Sequence, residues 1–185
     1  MLGATEALLG EGVSYPDLNI ERIATRAGIS RTAFYFYFRD KREVLMRLAA
    51  DVAERLYGQA DIWFSGEGDA PAELRRALGN VARLYGDHGA VLRAIVEGAT
   101  SDEEIARFWH TVIGRFVDAT HRRIESEQRA GHAVAADARA TAFALCWMTE
   151  RAFHEQVVQG EPLDGAALVE ALTGVWLRGV YGSSA

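Results

Sequence analysis

Between Gly28 and Leu45 the chain reads GISRTAFYFYFRDKREVL, and the residue types in it are unusual company. Phe34, Tyr35, Phe36, Tyr37 and Phe38 are five rings in succession, and Arg31, Arg39, Lys41 and Arg42 flank them. A buried segment would not carry so many cations, and an ordinary solvated surface would not carry so many rings. Five adjacent positions point all round a helix, so a small domain cannot bury all five. The chemistry that wants exposed hydroxyls, cations and rings on one surface is polyanion recognition. Arg reaches guanine, the methyl groups of Thr and Ala meet thymine, and tyrosine hydroxyls and lysine reach phosphates. Arg31, Thr32 and Ala33, just after Ser30, therefore suit base edges. Tyr35, Tyr37 and Lys41 suit phosphates, while Phe34 and Phe38, four apart, share a face that turns inward with Ile23 and Leu45.

The elements that must position these groups are legible on either side. Asn19 is a helix cap ahead of Ile20, Ile23, Ala24 and Ala27. Gly28 suits the left-handed position that ends a helix. Ser30 caps a second short helix expected to run through about Phe38, and Asp40 caps a long one whose Leu45, Leu48, Val52, Leu56 and Trp63 recur at helical spacing. Two short helices joined by Ala27-Gly28-Ile29 are a helix-turn-helix signature. Charge agrees. The 185-residue chain has a net charge of −6, yet residues 19–47 hold seven Arg or Lys against three acids. One basic patch on an acidic protein points to one polyanionic partner meeting one surface.

Beyond the long helix the pattern stays helical, and no convincing strand occurs. SGEGDAP at 65–71 is a loop. A helix to about Gly86, a short one around Val91–Glu97, a long one opened by a Ser101/Glu104 capping box and reaching about Arg129, one over roughly Ala136–Gln159 stopped by Gly160 and Pro162, and one from Asp164 to Tyr181 complete the chain. The fold class is all-α, with about nine helices. Residues 1–47 read as a three-helix helix-turn-helix DNA-binding domain with a short or missing N-terminal arm, and 48–185 as a larger helical dimerisation domain, ligand-binding where its aromatic residues line a pocket. The last two helices carry apolar positions, among them Leu163, Leu168, Leu172 and Val175, suited to a four-helix homodimer interface. A two-fold dimer reads two half-sites of a duplex.

Trp109, Phe116, Phe143, Trp147, Phe153 and Trp176 lie on helices of the second part and serve either plain packing or an elongated apolar pocket. Thr120 and Thr149 are polar groups able to orient a ligand there, and Cys146 behaves as a small apolar one. Glu150 and Arg151, mid-helix, read as a salt bridge or interface contact. No transmembrane run and no secretory signal occur, and the single cysteine, Cys146, excludes an internal disulfide and a multi-cysteine metal site. The expected location is cytoplasmic. The histidines form no metal-binding pattern; Asp118 with His121 and Glu150 with His154 are same-face pairs read as contacts. No nucleophile elbow, phosphate loop or zinc-protease motif occurs, so no enzyme, cofactor or metal is expected.

Ile23-Ala24, Ala27-Gly28-Ile29-Ser30, the run Phe34-Tyr35-Phe36-Tyr37-Phe38, Lys41 and Leu45 resemble the TetR family of one-component bacterial regulators. GISRTAFYFYF is most similar to its EthR branch, with looser likeness in MTER at 148–151 and GVWLRGVYG at 174–182. The resemblance implies a ligand-responsive repressor bound to double-stranded operator DNA through Ser30, Arg31, Thr32, Ala33, Tyr35, Tyr37 and Lys41, and released by an apolar small molecule. It also implies an effector pocket at Leu74, Val81, Trp109, Phe116, Thr120, Cys146, Thr149, Phe153 and Trp176. Where the branch often has amides, this chain has Cys146 and Thr149. Family members usually begin with a basic arm, whereas here no Arg or Lys precedes Arg22. The alternative is therefore a small-molecule-binding helical protein with weak or lost DNA binding.

Overall fold

A computed structural model describes residues 1–134, 137–158, 160 and 163–182. Among these the protein is all-α, with nine α-helices and no strand. They are α1 (Leu2–Gly10), α2 (Ile20–Ala27), α3 (Arg31–Phe34), α4 (Lys41–Phe64), α5 (Ala70–Asp87), α6 (Gly89–Ala99), α7 (Glu103–Arg129), α8 (Ala138–Phe153) and α9 (Gly165–Tyr181); α8 runs on into a π-helical turn at His154–Val158. The expected helix stretch at Ala136 and Gln159, and the stop at Pro162, lie outside the described residues.

The chain divides into two compact units. The first is Met1–Glu54 with His88–Thr111, and the second is Arg55–Asp87 with Val112–Ala185. Helices α4 and α7 each begin in the first unit and end in the second. By packing, then, α6 and the start of α7 join the N-terminal helices, whereas the sequence boundary falls after residue 47. Several contacts explain this. The Tyr15 N–H donates to Glu97 Oε2 at 3.0 Å, and Arg93 Nη2 donates to the Leu9 carbonyl at 3.1 Å. Gly98 lies where a Cβ would come within 3.2 Å of the Tyr15 ring, so only glycine lets α6 approach so closely. Arg42 sits among Asp40, Asp102 and Glu104, at 3.2, 3.2 and 3.1 Å, tying the first turn of α4 to the start of α7.

Two boundaries differ from the sequence reading. The second short helix stops at Phe34 rather than Phe38. Past it, Phe36 and Tyr37 donate to carbonyls only three residues back, at 3.3 and 3.0 Å, before Phe38 closes on Phe34 at 3.1 Å. The rod is thus a single α-turn followed by tighter turns. At α7 the cap is Asp102, whose Oδ1 accepts from the Glu104 and Ile105 N–H groups at 2.9 and 3.3 Å. Ser101 still closes α6, donating its N–H to Gly98.

The core of the first unit is Leu9, Leu18, Ile23, Phe34, Leu45 and their neighbours from α6, all without exposed surface or nearly so. In the second unit Trp63, Leu74, Phe153 and Trp176 are buried, and α5 packs along α9 with an Arg75–Glu170 pair at 3.0 Å on the surface. Phe34→Ala is expected to cost about 3–5 kcal/mol through the cavity it leaves. Phe36→Ala removes a ring that is 82% exposed and is expected to stay within about 0.5 kcal/mol. Chemical denaturation of the two variants beside the parent checks both.

Candidate nucleic-acid interface and interior site

The turn between α2 and α3 is built from local chemistry. Asn19 accepts the Arg22 N–H at 2.9 Å and opens α2. Gly28, at φ 68°, closes it, while the Ile29 N–H reaches back to the Ala24 carbonyl at 3.0 Å. A side chain here would be strained in the left-handed region. Ser30 then accepts the Ala33 N–H at 3.0 Å and opens α3. Ser30 therefore works as a cap, and Arg31 and Thr32 project from the first turn into solvent, with Ala33 half-buried beside them.

Phe34 is fully buried and meets Phe38 with ring centroids 5.9 Å apart. The other three rings are left outside. Tyr35 is 49% exposed, Phe36 82% and Tyr37 69%, so the run splits between core and surface. Phe36, the most exposed large apolar side chain described, was given no role in the sequence reading; its signal was the impossibility of burying five rings at once. The Arg31 guanidinium is held above its usual pKa, first by its hydrogen bond to Tyr35. That bond links a group suited to bases with one suited to phosphates.

Lys41 is placed differently from the expectation. Its ammonium donates to the carbonyls of Tyr15 and Pro16 at 2.8 and 3.1 Å and stands 4.5 Å over the Tyr15 ring. Burial pulls its pKa below the usual lysine range. Two of its three N–H bonds thus fasten the α1–α2 loop to the start of α4. Arg39, by contrast, is largely exposed and pairs with Glu43 at 3.2 Å.

The residues expected to line an interior site are brought together in pairs. Thr120 Oγ1 and Cys146 Sγ are 3.4 Å apart, both buried. The Trp176 Nε1–H donates to Thr149 Oγ1 at 2.8 Å, and Trp63 meets Trp176 edge-on at 5.5 Å. Phe153 lies 5.4 Å from Tyr85, and Phe116 contacts Tyr57 and Phe64 at 5.4 and 6.4 Å. Leu74 is buried and Val81 half-buried on α5. Trp109 is buried too, but falls in the first unit while the other eight fall in the second. Trp63, Tyr57 and Tyr85 belong to this aromatic interior and were missed, since each reads in sequence as one more core position.

Glu150 is buried rather than at a surface, and Arg151 turns out to pair with Glu155 at 3.2 Å. Burial, helped by the Glu150 charge, keeps the Tyr85 hydroxyl protonated far above its normal range. Among the described residues no group of three or more His, Cys, Asp or Glu could hold a metal, and no helix is long and apolar enough to cross a membrane. A cavity of about 370 Å³ opens beside Tyr57, Phe64 and Arg123, and none of the nine expected lining residues is in its wall. On α8 and α9, Phe143 and Val175 are exposed, and Phe143 meets Trp147 at 6.3 Å.

Comparison with known proteins sorts these two regions. Residues 2–48 match the family described as bacterial regulatory proteins, tetR family, and residues 74–182 match the C-terminal domain of the transcriptional regulator EthR. The HTH-type transcriptional regulator EthR of Mycolicibacterium smegmatis is 31% identical over 97% of this chain and 84% of its own. The protein of that name from Mycobacterium tuberculosis is 29% identical, over 100% and 87%. Two solved structures share the fold: the fatty acid degradation regulator FadR from Bacillus halodurans, with TM-score 0.79 and 17% identity over 96% of this chain and 93% of that one, and SmeT, repressor of the Stenotrophomonas maltophilia multidrug efflux pump SmeDEF, with TM-score 0.77 and 19% identity over 97% and 87%.

Burial pushes the Cys146 thiol up to about 12, against the pull of its Thr120 partner. Thiolate is the reactive form, so Cys146 is expected to ignore a disulfide reagent such as dithionitrobenzoate at pH 8 while the protein is folded and to react once guanidinium unfolds it. Rapid labelling of the native protein at that pH would show the thiol to be accessible after all.

Proposed function

Because the chain belongs to the TetR family of bacterial transcriptional regulators, with a C-terminal region of the EthR type, we propose that it is a homodimeric repressor released from its operator by an apolar small molecule. It is a regulator and not an enzyme. The observation that carries the DNA half is the exposed surface around buried Phe34: Arg31 and Thr32 at the start of α3, with the Tyr35 and Tyr37 hydroxyls outside. In this reading Arg31, Thr32 and Ala33 face base edges, Ser30 holds the turn in register, and Tyr35 and Tyr37 contact phosphates. Lys41 acts first as a fastener of the α1–α2 loop and has one N–H left for a phosphate. The protein works in the cytoplasm, where the operator is.

The effector half rests on the paired interior groups of the second unit. Leu74, Val81, Phe116, Thr120, Cys146, Thr149, Phe153 and Trp176 form an apolar lining with two hydroxyls and a thiol. An elongated apolar molecule would break the Trp176–Thr149 hydrogen bond or use it, and would have to separate ring contacts to enter. The exposed Phe143 ring of α8, with Trp147 beside it, and Val175 and Leu163 supply the homodimer face through the last two helices. Release follows if the effector binds better to a body conformation in which α4 and α7, which begin in the DNA-binding unit, sit differently; an effector with equal affinity for both states shifts nothing.

Gel shifts on the protein's own upstream DNA test the assignment. Arg31→Ala is expected to cost about 1–3 kcal/mol of binding and to relax preference at one base position. Tyr37→Phe is expected to weaken all duplexes alike by about 0.5–1.5 kcal/mol. If Tyr37→Phe binds as the parent does, its hydroxyl is not a phosphate contact. If Arg31→Ala keeps both affinity and preference, the first turn of α3 does not read bases.

A further inference from the structure

The loop at residues 65–69, between α4 and α5, is gripped from beneath by buried charge. Glu73, in the first turn of α5, accepts the Gly68 N–H through Oε1 at 2.8 Å. Arg123, in α7, donates through Nη1 to the Gly66 carbonyl. Arg123 also pairs with Glu127 Oε1 at 2.8 Å and stands 3.9 Å from Glu73 Oε2. The three side chains are only 11–13% exposed. Two carboxylates against one guanidinium, withdrawn from water, are costly unless other hydrogen bonds satisfy them. Here the loop backbone supplies two of those bonds.

The glycines show how closely the loop is seated. A methyl group at Gly66 would collide with the Glu73 carboxylate, and one at Gly68 would come within 3.0 Å of it. Ser65, Gly66 and Glu67 of this loop help line the cavity of about 370 Å³. Gly66 and Glu67 form one wall, Tyr57 and Phe64 of α4 a second, and Arg122 and Arg123 of α7 a third. Gly66 and Arg123 therefore belong both to the grip and to the cavity. Tyr57 and Phe64 are in ring contact with Phe116, and Trp63, next to Phe64, meets Trp176. The cavity thus abuts the aromatic interior.

We infer that the 65–69 loop is a latched gate on the passage of an apolar molecule between solvent and that interior, with Glu73 and Arg123 as the latch; this rests on the interior effector site proposed above. When the gate opens, the Gly68 N–H and the Gly66 carbonyl exchange their charged partners for water. Arg123 keeps its 2.8 Å pair with Glu127, and Glu73, 3.9 Å from Arg123, takes water in place of the Gly68 N–H. Tyr57 and Phe64, half-buried in the cavity wall, give an apolar molecule its first contact, and Phe116 the next. A gate of this kind sets how fast a ligand enters and leaves, and not how tightly it is held.

Gly66→Ala puts a methyl group where the Glu73 carboxylate stands, so loop and carboxylate must part while every charge is kept, and Glu73→Gln keeps the side-chain shape while weakening the latch, which covers the case of a poorly folded first variant. The probe is N-phenyl-1-naphthylamine, an apolar dye that brightens in apolar surroundings, followed by stopped-flow fluorescence on the full chain. Gly66→Ala is expected to raise the association and dissociation rate constants together by about tenfold, the size of one lost charge-assisted hydrogen bond, leaving their ratio unchanged. Glu73→Gln should move both in the same direction by less. Binding with parental rates in both variants, or an altered affinity carried by dissociation alone, overturns the gate. Failure of the parent protein to bind the dye overturns the interior site, and the gate with it.

Discussion

The side of α3 that meets solvent is fixed by burying one ring. Successive residues in a helical turn are rotated by about 100°, so once Phe34 is in the core the directions of its neighbours are no longer free. Phe38, one turn on, follows it inward, and Tyr35, Phe36 and Tyr37 are left outside. The caps at Ser30 and Gly28 set where that turn begins, but they do not choose its face. Phe34 chooses it, packed among residues such as Ile23 and Leu45 that have no exposed surface. Everything proposed for Arg31, Thr32 and the tyrosine hydroxyls follows from that choice.

A second constraint decides what can be coupled to this surface. Helix α4 is anchored at its first turn twice over, through Lys41 to the α1–α2 loop and through Arg42 to the start of α7. Arg42 is about a third exposed, so each of its pairs is individually worth little in water. Three carboxylates around one guanidinium nevertheless restrict its direction, and Tyr15 adds the hydrogen bond to Glu97 and the close contact at Gly98. The first turns of α4 and α7 are thereby one assembly with the helix-turn-helix. Both helices continue into the unit that holds Phe116, Thr120 and Trp63. A ligand that changes how those helices end has a covalent route to where they begin.

Local chemistry in this protein can be read from sequence, and non-local chemistry much less so. Asn19, Gly28 and Ser30 act within three or four residues of themselves, and each sits where the sequence puts it. The inward turn of Phe34 follows from counting faces. The cap of α7 does not, because Ser101 and Asp102 are both good caps and the choice depends on where α6 finishes. The same holds for α6 as a partner of the N-terminal helices, which is decided by Tyr15, Glu97 and Gly98, residues more than 80 positions apart. Lys41 carries a charge that suits phosphate, yet two carbonyls it meets through the fold claim most of its donors. In the second unit the aromatic positions are legible as apolar, but Trp63 against Trp176, or Thr149 beneath the indole N–H, is a matter of which helices meet.

The claim that joins the two units is linkage between duplex and apolar ligand, and it is measured most directly from the ligand's side. The affinity of an apolar compound for the protein is determined with and without a saturating duplex of its own upstream DNA. The account predicts that the duplex weakens the compound by the same factor as the compound weakens the duplex, in the range of about 5- to 150-fold. Equal affinity for the compound in both conditions, with the duplex bound, would contradict it.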